Sequence, residues 1–357
     1  MTTIDKTKPV MITGATGYVA GWIVKRLLDE GLQVHAPVRD PANAKKLEHL
    51  NRLAENSPGG ITFFKADLLE PGSYDAPMSG CELVFHTASP FTTAVKDPQK
   101  ELVDPALEGT RNVLESANRT PSVKRVVLTS SSAAIVGDTI DLLGIPGGTA
   151  TEEDWNTTSS LTHQPYSYSK TVAEREAWNI HDAQDRWDLV VINPTLVLGP
   201  GISPTATSES FNIFRQLGDG TMKMGAPPVE IGMVDVRDVA AAHYNAGFTP
   251  GARGRHIISA ESKSLLEVAG ILRNHFGDGY PFPKKELPKW VVWLAAPMVG
   301  ITRKMVSRNM GYPWKVDNSK SKRELGIEYA PPEKFVVDFF QQMEESGVFD
   351  KKQKAPA

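Results

Sequence analysis

Tyr166 and Lys170 lie four residues apart in the segment Tyr166-Ser167-Tyr168-Ser169-Lys170. A helix here puts both on one face, one turn apart. A free phenol ionises near pH 10, poorly matched to acid–base work at neutral pH. A nearby ammonium favours the phenolate and brings that ionisation down. Such a pair can protonate a carbonyl oxygen, or deprotonate an alcohol, while a nicotinamide carries the hydride. Lys170 also has the reach to hydrogen-bond a nicotinamide ribose. Upstream, the apolar run Val126-Val127-Leu128 ends in Thr129-Ser130-Ser131-Ser132. One of these hydroxyls can hold a substrate carbonyl beside the tyrosine, while others bond the backbone of a strand end.

A second cluster opens the chain. Thr13-Gly14-Ala15-Thr16-Gly17-Tyr18-Val19-Ala20-Gly21 lies between a short apolar run and a helix-patterned stretch. Glycine at 14 permits a tight turn, and glycine at 17 lets backbone N–H groups approach a pyrophosphate. The helix N-terminus then adds partial positive charge. The spacing Gly-x-x-Gly-x-x-Ala departs from the common dinucleotide fingerprint, but it stands where that motif works, after a strand and opening a helix. Cofactor choice is made at the end of the second strand, where an NAD site tends to place a carboxylate. This chain has Val38-Arg39-Asp40, then Lys45-Lys46. A guanidinium can hold a 2′-phosphate bidentately, so NADP(H) is favoured over NAD(H).

These residues need strands to end beneath them and helices to start beside them. Strands are predicted at Pro9–Thr13, Gln33–Val38, Ile61–Ala66, Glu82–Thr87, Val123–Ser130 and Trp187–Asn193. Helices are predicted at Gly17–Glu30, Lys45–Asn56 and Leu102–Asn118. Such alternation implies parallel strands joined by right-handed crossovers. The predicted fold class is α/β, a doubly wound parallel sheet of the Rossmann type with a smaller mixed C-terminal lobe. A dinucleotide-binding domain is expected over 1–194 and a substrate-binding lobe over 195–350, with one strand and helix returning to the sheet within 227–260. The lobe should hold a helix over Asp238–Gly247 with an acidic cap, a strand at His256–Ser259, a capping box at Ser264–Glu267 and a helix at Ser319–Leu325 closed by Gly326. Pro37 removes a ladder N–H and should sit at its strand's end.

Composition narrows the class. The 357 residues, 40% of them hydrophobic, can bury a large core, and the net charge of −3 is no nucleic-acid footprint. The only cysteine, Cys81, precludes an intramolecular disulfide and fits a reducing, cytoplasmic compartment. Met1–Lys8 is polar and unlike a signal peptide. Trp290–Ile301 is the most apolar stretch, too short to span a bilayer; it is expected as a buried helix of the C-terminal lobe, with a membrane-surface role the less favoured alternative. The tail 351–357 is expected to be disordered. The partners expected are a small-molecule carbonyl substrate, with no nucleic acid and no membrane, in a monomer or a homodimer. No metal-ligand spacing is present.

With these pieces placed, roughly residues 9 to 345 resemble the extended short-chain dehydrogenase/reductases. The branch is that of dihydroflavonol reductases, cinnamoyl-CoA reductases and related carbonyl reductases. The resemblance rests on the glycine turn, the Tyr-Lys pair, Val38-Arg39-Asp40-Pro41, Lys65-Ala66-Asp67-Leu68 and Phe85-His86-Thr87-Ala88-Ser89-Pro90. It also rests on Val127-Leu128-Thr129-Ser130-Ser131 and Asn193-Pro194-Thr195-Leu196-Val197-Leu198-Gly199-Pro200. It implies cofactor contacts from Gly14, Thr16, Gly17, Tyr18, Val19, Tyr166 and Lys170. Asp67 and Leu68 would flank the adenine. Thr87, Ala88 and Ser89 would line the ribose–phosphate side, and Pro194, Thr195 and Leu196 would back the nicotinamide. Arg39 and Lys46 match the branch's 2′-phosphate contacts. Ser131 matches its catalytic serine, with Ser132 a one-residue alternative.

The implied activity is NADPH-dependent reduction of a ketone or aldehyde. Alternatives on the same fold are an NAD-dependent hydroxysteroid dehydrogenase and a nucleotide-sugar epimerase. A non-enzymatic NAD(P)-sensing regulator is a further alternative. Dihydroflavonol reductases carry an asparagine five residues past the catalytic serine, where this chain has Val136. Cinnamoyl-CoA reductases carry an Asn-Trp-Cys-Tyr type signature, where this chain has His163-Gln164-Pro165-Tyr166. Neither plant substrate is thereby favoured. Phe91, Val136, His163 and Met233 are the candidate substrate-side residues, and His86 is expected to be structural.

Overall fold

The computed structural model describes residues 1–89, 95–203 and 208–350. Phe91 and the tail 351–357 lie outside them. Strands covered on both faces must be apolar throughout, and β1 (Val10–Thr13) and β4 (Leu83–His86) are buried at every position. With β2 (Gln33–Val38), β3 (Gly60–Lys65), β5 (Arg125–Thr129), β6 (Asp188–Pro194) and a later strand at Gly254–Ile258 they form one parallel seven-stranded sheet. Counting β7 (Leu196–Leu198) and β8 (Glu230–Asp235), that later strand is β9, and the order is β3-β2-β1-β4-β5-β6-β9. Strand order reverses between β1 and β4, and in such sheets the ligand lies beyond the carboxyl ends at that point.

Alternate residues face opposite layers. Phe85, Val127 and Val190 pack towards α1 (Tyr18–Asp29), while Val84, Val126 and Val191 face the other way. In chain order the helices that follow are α2 (Ala44–Glu55), the short α3 (Asp75–Met78), α4 (Asp104–Arg119) and α5 (Pro165–Asp182). Val113, Leu114 and Ala117 of α4 and Ala177 of α5 close the second layer. Next come α6 (Glu209–Gly218) and α7 (Val236–Phe248), the latter against α1. Thus α7 and β9 return from the C-terminal half to the large sheet.

A smaller sheet, β10-β8-β7, where β10 is Glu261–Ser264, supports the second lobe. Its core joins Phe214 of α6 to Val268 and Leu272 of α8 (Leu265–Phe276). Two further short helices, α9 (Lys289–Ala295) and α10 (Arg303–Asn309), and α11 (Ser319–Leu325) lead to α12 (Pro332–Glu345). Phe335, Phe339 and Phe340 of α12 complete that core. Among the described residues no helix is long and apolar enough to cross a membrane.

Most predicted elements are found within a residue or two, including the Ser264–Glu267 capping box and the left-handed Gly326 after α11. Pro37 is the penultimate residue of β2, beyond the β1 pairs at Val34 and His35. Two expectations change. The acidic cap of α7 is Asp235, whose carboxylate accepts from Arg237 N at 2.9 Å, so the helix starts earlier than its apolar pattern suggests. Trp290–Ile301 is not buried. Its helix stops at Ala295, and Trp290, Leu294, Met298 and Val299 are exposed. Apolarity named the segment, but its packing is confined to one side, where Val292 and Ala296 meet Val306 and Met310.

Asp238, left inside the first turn of α7, carries a testable consequence. Burial, the largest influence, raises its carboxyl to about 6, against a lowering hydrogen bond from Ala330 N. A carboxyl raised on folding favours the native state when protonated. That contribution is full below the unfolded value near 4 and is lost as pH rises through about 6. Asp238→Asn should therefore raise the melting temperature at pH 8, with the gain vanishing at pH 4. A gain equal at both pH values would contradict the assignment.

Candidate active site

The turn after β1 is shaped by glycine. Gly14 has φ +68°, and a Cβ there would stand 3.0 Å from the Ala88 Cα. Any other residue is strained and crowds the β4 loop. At Gly17 a Cβ would meet the Gly14 carbonyl oxygen at 3.1 Å. Thr13 ties the turn to β4. Its hydroxyl accepts from Thr87 N at 3.1 Å and Ala88 N at 3.0 Å, so its proton goes to His86 Nδ1 at 2.9 Å. His86 must then be neutral, with its proton on Nε2. Burial, aided by the Lys170 charge, lowers its pKa to about 3, in keeping with a structural histidine.

One cavity of about 920 Å³ lies where these strands end. Gly14, Gly17, Tyr18, Val19 and Thr87 form one part of its wall, and Ser131, Tyr166, Lys170, Pro194, Thr195 and Leu196 another. Tyr18 is anchored, its hydroxyl donating to the Gly199 carbonyl at 2.5 Å. Tyr166 is 43% exposed, so its ring projects into the open space. The Lys170 Nζ stands 5.8 Å from the Tyr166 ring centroid and donates to Ser89 Oγ at 3.1 Å. Ala88 and Ser89 line a small adjoining cavity that also touches Lys170.

The hydroxyl run sorts itself by hydrogen bonding. Thr129 Oγ1 is 2.6 Å from His243 Nε2, and Ser130 Oγ donates to Glu174 Oε2 at 2.5 Å. Both are committed inward. Ser131 Oγ accepts from Ala133 N at 3.1 Å, capping the turn Ser132–Ala134, which leaves its own proton free to donate. Ser132 also lines the cavity.

Several sequence candidates stand apart from this cavity. Arg39 and Lys46 are exposed at the end of β2 and in the first turn of α2, away from the wall. No ion pair engages either among the described residues. Asp40 turns to its own loop, accepting from Ala42 N at 3.0 Å. Asp67 accepts from Leu69 N at 2.9 Å, and Leu68 packs where a Cβ on Gly109 would come within 2.5 Å of it. Thr16 is half-buried on the glycine turn outside the wall.

Two substrate-side expectations are corrected. Val136 is buried with Ile135, Leu142, Ala150 and Ile257, because its chain turns it under the Ser132–Ala134 turn rather than into the cavity. Met233 pairs with Leu196 and Glu261 in the small sheet, and that register points it into the lobe core. His163 does line the cavity, but its Nε2 is held 2.9 Å from both oxygens of buried Asp138.

That carboxylate is the centre of a network the sequence did not disclose. It accepts from Gln164 Nε2 at 2.6 Å, Asn309 Nδ2 at 2.7 Å and the Arg308 guanidinium, joining α10 to the start of α5. Burial acts against its ionisation, yet these donors, Arg308 foremost, hold its pKa below the usual value. Gln164 caps α5 at φ +53°, the only left-handed residue besides glycine among those described. Such a conformation costs about 1–2 kcal/mol and is held here by the Asp138 contact, two residues from Tyr166. Ile301, Thr302 and Met305 then close the far wall. A second network sits one turn beyond Lys170. Glu174, fully buried, accepts from Arg255 Nε at 2.6 Å and Asn193 Nδ2 at 2.8 Å as well as from Ser130.

Residues 10–255 match the NAD dependent epimerase/dehydratase family. A cinnamoyl-CoA reductase of Medicago truncatula is 38% identical over 341 residues, covering 94% of this chain and 95% of that protein. An anthocyanidin reductase of Vitis vinifera is 36% identical over 282 residues, covering 75% of this chain and 81% of that one. The yeast methylglyoxal/isovaleraldehyde reductase Gre2, solved complexed with NADPH, superposes with a TM-score of 0.75 at 26% identity over 95% of this chain and 99% of its own. The chain therefore belongs to the NAD dependent epimerase/dehydratase family, among the extended short-chain dehydrogenases/reductases, and is an oxidoreductase.

Proposed function

We propose that this oxidoreductase reduces a ketone or aldehyde to the alcohol with NADPH, Tyr166 delivering the proton. The observation that carries the reading is that Tyr166, Lys170 and Ser131 line the same cavity as the glycine turn, at the carboxyl edge of the sheet. The residues present suit a dinucleotide. A Cβ at Gly14 or Gly17 would crowd the turn, the first N–H groups of α1 are offered to an anion, and Arg39 and Lys46 hold no carboxylate. Relatives bearing reductase names, and Gre2 with NADPH, support the same choice.

When bound, NADPH supplies the hydride. The chain's own residues supply the rest. Ser131, fixed by the Ala133 amide, donates to the carbonyl oxygen and orients it. Tyr166 holds the proton at its phenolic oxygen and releases it to the oxygen as charge develops there. Lys170, tethered by Ser89, keeps an ammonium beside the phenol and steadies the phenolate left behind. The Asp138 network fixes Gln164, and Glu174 fixes the helix after Lys170, so both reacting side chains sit on a restrained α5. Leu196, Val197, Ile301 and Met305 give the remaining wall an apolar lining, suited to an aromatic or aliphatic carbonyl.

The cofactor half of this reading is tested by fluorescence titration of NADPH and NADH. NADPH should bind at least about tenfold tighter, near 1.4 kcal/mol, and Arg39→Ala should abolish the gap. Equal binding by the unaltered protein would overturn it and favour an NAD-linked reaction.

A further inference from the structure

We propose that the exposed face formed by α9, the turn after it and the start of α10 docks on an anionic lipid surface. Trp290, Trp293 and Leu294 follow the i, i+3, i+4 spacing of one helical stripe, and they are 66%, 37% and 54% exposed. Met298, Val299 and Ile301 continue the patch at 88%, 66% and 36%. The opposite side of α9 is already used, since Val292 and Ala296 pack on Val306 and Met310. The outward stripe is therefore left over after folding, and a soluble chain rarely exposes so contiguous an apolar surface without a partner.

Charge identifies that partner. Between 285 and 304 the chain carries Lys285, Lys289, Arg303 and Lys304 against Glu286 alone, a net +3 in a protein whose total is −3. Among the described residues none of these four cations is in an ion pair. The Arg303 guanidinium sits 4.3 Å from the Trp293 ring centroid, and Lys289 Nζ sits 4.2 Å from that of Tyr312. Indole rings flanked by long cationic side chains match the headgroup boundary, where aromatic bodies enter and charged heads meet lipid phosphate. A second copy fits less well, because an isologous contact would bring the same cations face to face. Ile301 belongs both to the patch and to the cavity wall, so the face that meets lipid is also the rim of the cavity.

The test is sedimentation of the full chain with vesicles of phosphatidylcholine alone, or of phosphatidylcholine with phosphatidylserine. The chain should pellet with the anionic vesicles and be released by salt. The triple variant Trp290→Ser/Met298→Ser/Val299→Ser should lose about tenfold or more in vesicle affinity, with its melting temperature and its turnover of a water-soluble carbonyl unchanged. Failure of the unaltered chain to pellet with anionic vesicles would overturn the proposal, as would equal pelleting by the variant. A concentration-dependent dimer broken by the same variant, without vesicle binding, would overturn it in favour of a second copy. Binding to an acidic protein but not to vesicles would overturn it in favour of a protein partner.

Discussion

Replacing Tyr166 by phenylalanine is expected to lower turnover by about 10²–10⁴-fold while leaving NADPH affinity nearly unchanged. The reason is local. The side chain is partly exposed, lines the cavity and belongs to no hydrophobic core, so removing its oxygen deletes a proton donor without opening a void. Ring volume, the start of α5 and the Lys170–Ser89 contact remain. A matching loss in both kcat and kcat/KM would mark an interaction made only in the transition state. Cofactor binding should be read in the same preparation. A variant that keeps its rate would remove Tyr166 from the chemistry and return the NAD(P)-sensing regulator to consideration, since such a protein has no need of this oxygen.

Glu174→Ala should be the most destabilising single change near the site. Glu174 is fully buried, and its carboxylate carries Arg255, Asn193 and Ser130. Removing it strands a guanidinium that is itself almost wholly buried. Breaking one side of a buried pair typically costs about 3–5 kcal/mol, and at roughly 2–4 °C per kcal/mol for domains of some 150–250 residues the melting temperature should drop visibly. Arg255 keeps its bonds to the carbonyls of Glu152 and Asp154, which pull it away from α5 once the carboxylate is gone. Turnover should fall too, as Lys170 lies one turn earlier on the same helix. Glu174→Leu combined with Arg255→Met should recover part of the stability, the remainder reflecting Ser130 left without an acceptor and Asn193 reduced to its bond to the Ser131 carbonyl. A loss below about 1 kcal/mol in the single variant would show that the pair does not pin α5.

What the sequence disclosed and what it withheld divide along physical lines. Tyr166 and Lys170 were legible because a spacing of four on a helix fixes geometry without tertiary knowledge. Gly14 was legible because a strand running into a helix through so short a turn demands a positive φ. The sheet was legible because two-sided burial leaves continuous apolar runs such as Val126-Val127-Leu128. Met233 was misplaced because strand register, set by pairing with Leu196 and Glu261, decides which face an alternating side chain occupies. Val136 was misplaced because its direction depends on a single turn of 3₁₀ helix after Ser131. The Asp138–Arg308 and Glu174–Arg255 pairs join residues 170 and 81 positions apart, and such contacts leave no local pattern. The exposure of Trp290–Ile301 is not legible in sequence, because apolarity reports the wish for a partner and not whether the fold provides one.

The most direct test of the central claim uses NADPH carrying deuterium on the transferable position of its nicotinamide. The protein is incubated with this cofactor and a panel of aromatic and aliphatic aldehydes and ketones, and the products are examined by mass spectrometry and proton NMR. The expected product is an alcohol labelled at the carbinol carbon, formed in step with cofactor oxidation and suppressed in Tyr166→Phe. Alcohol formed without label, or no carbonyl consumed while a sugar nucleotide is epimerised with the cofactor retained, would contradict it.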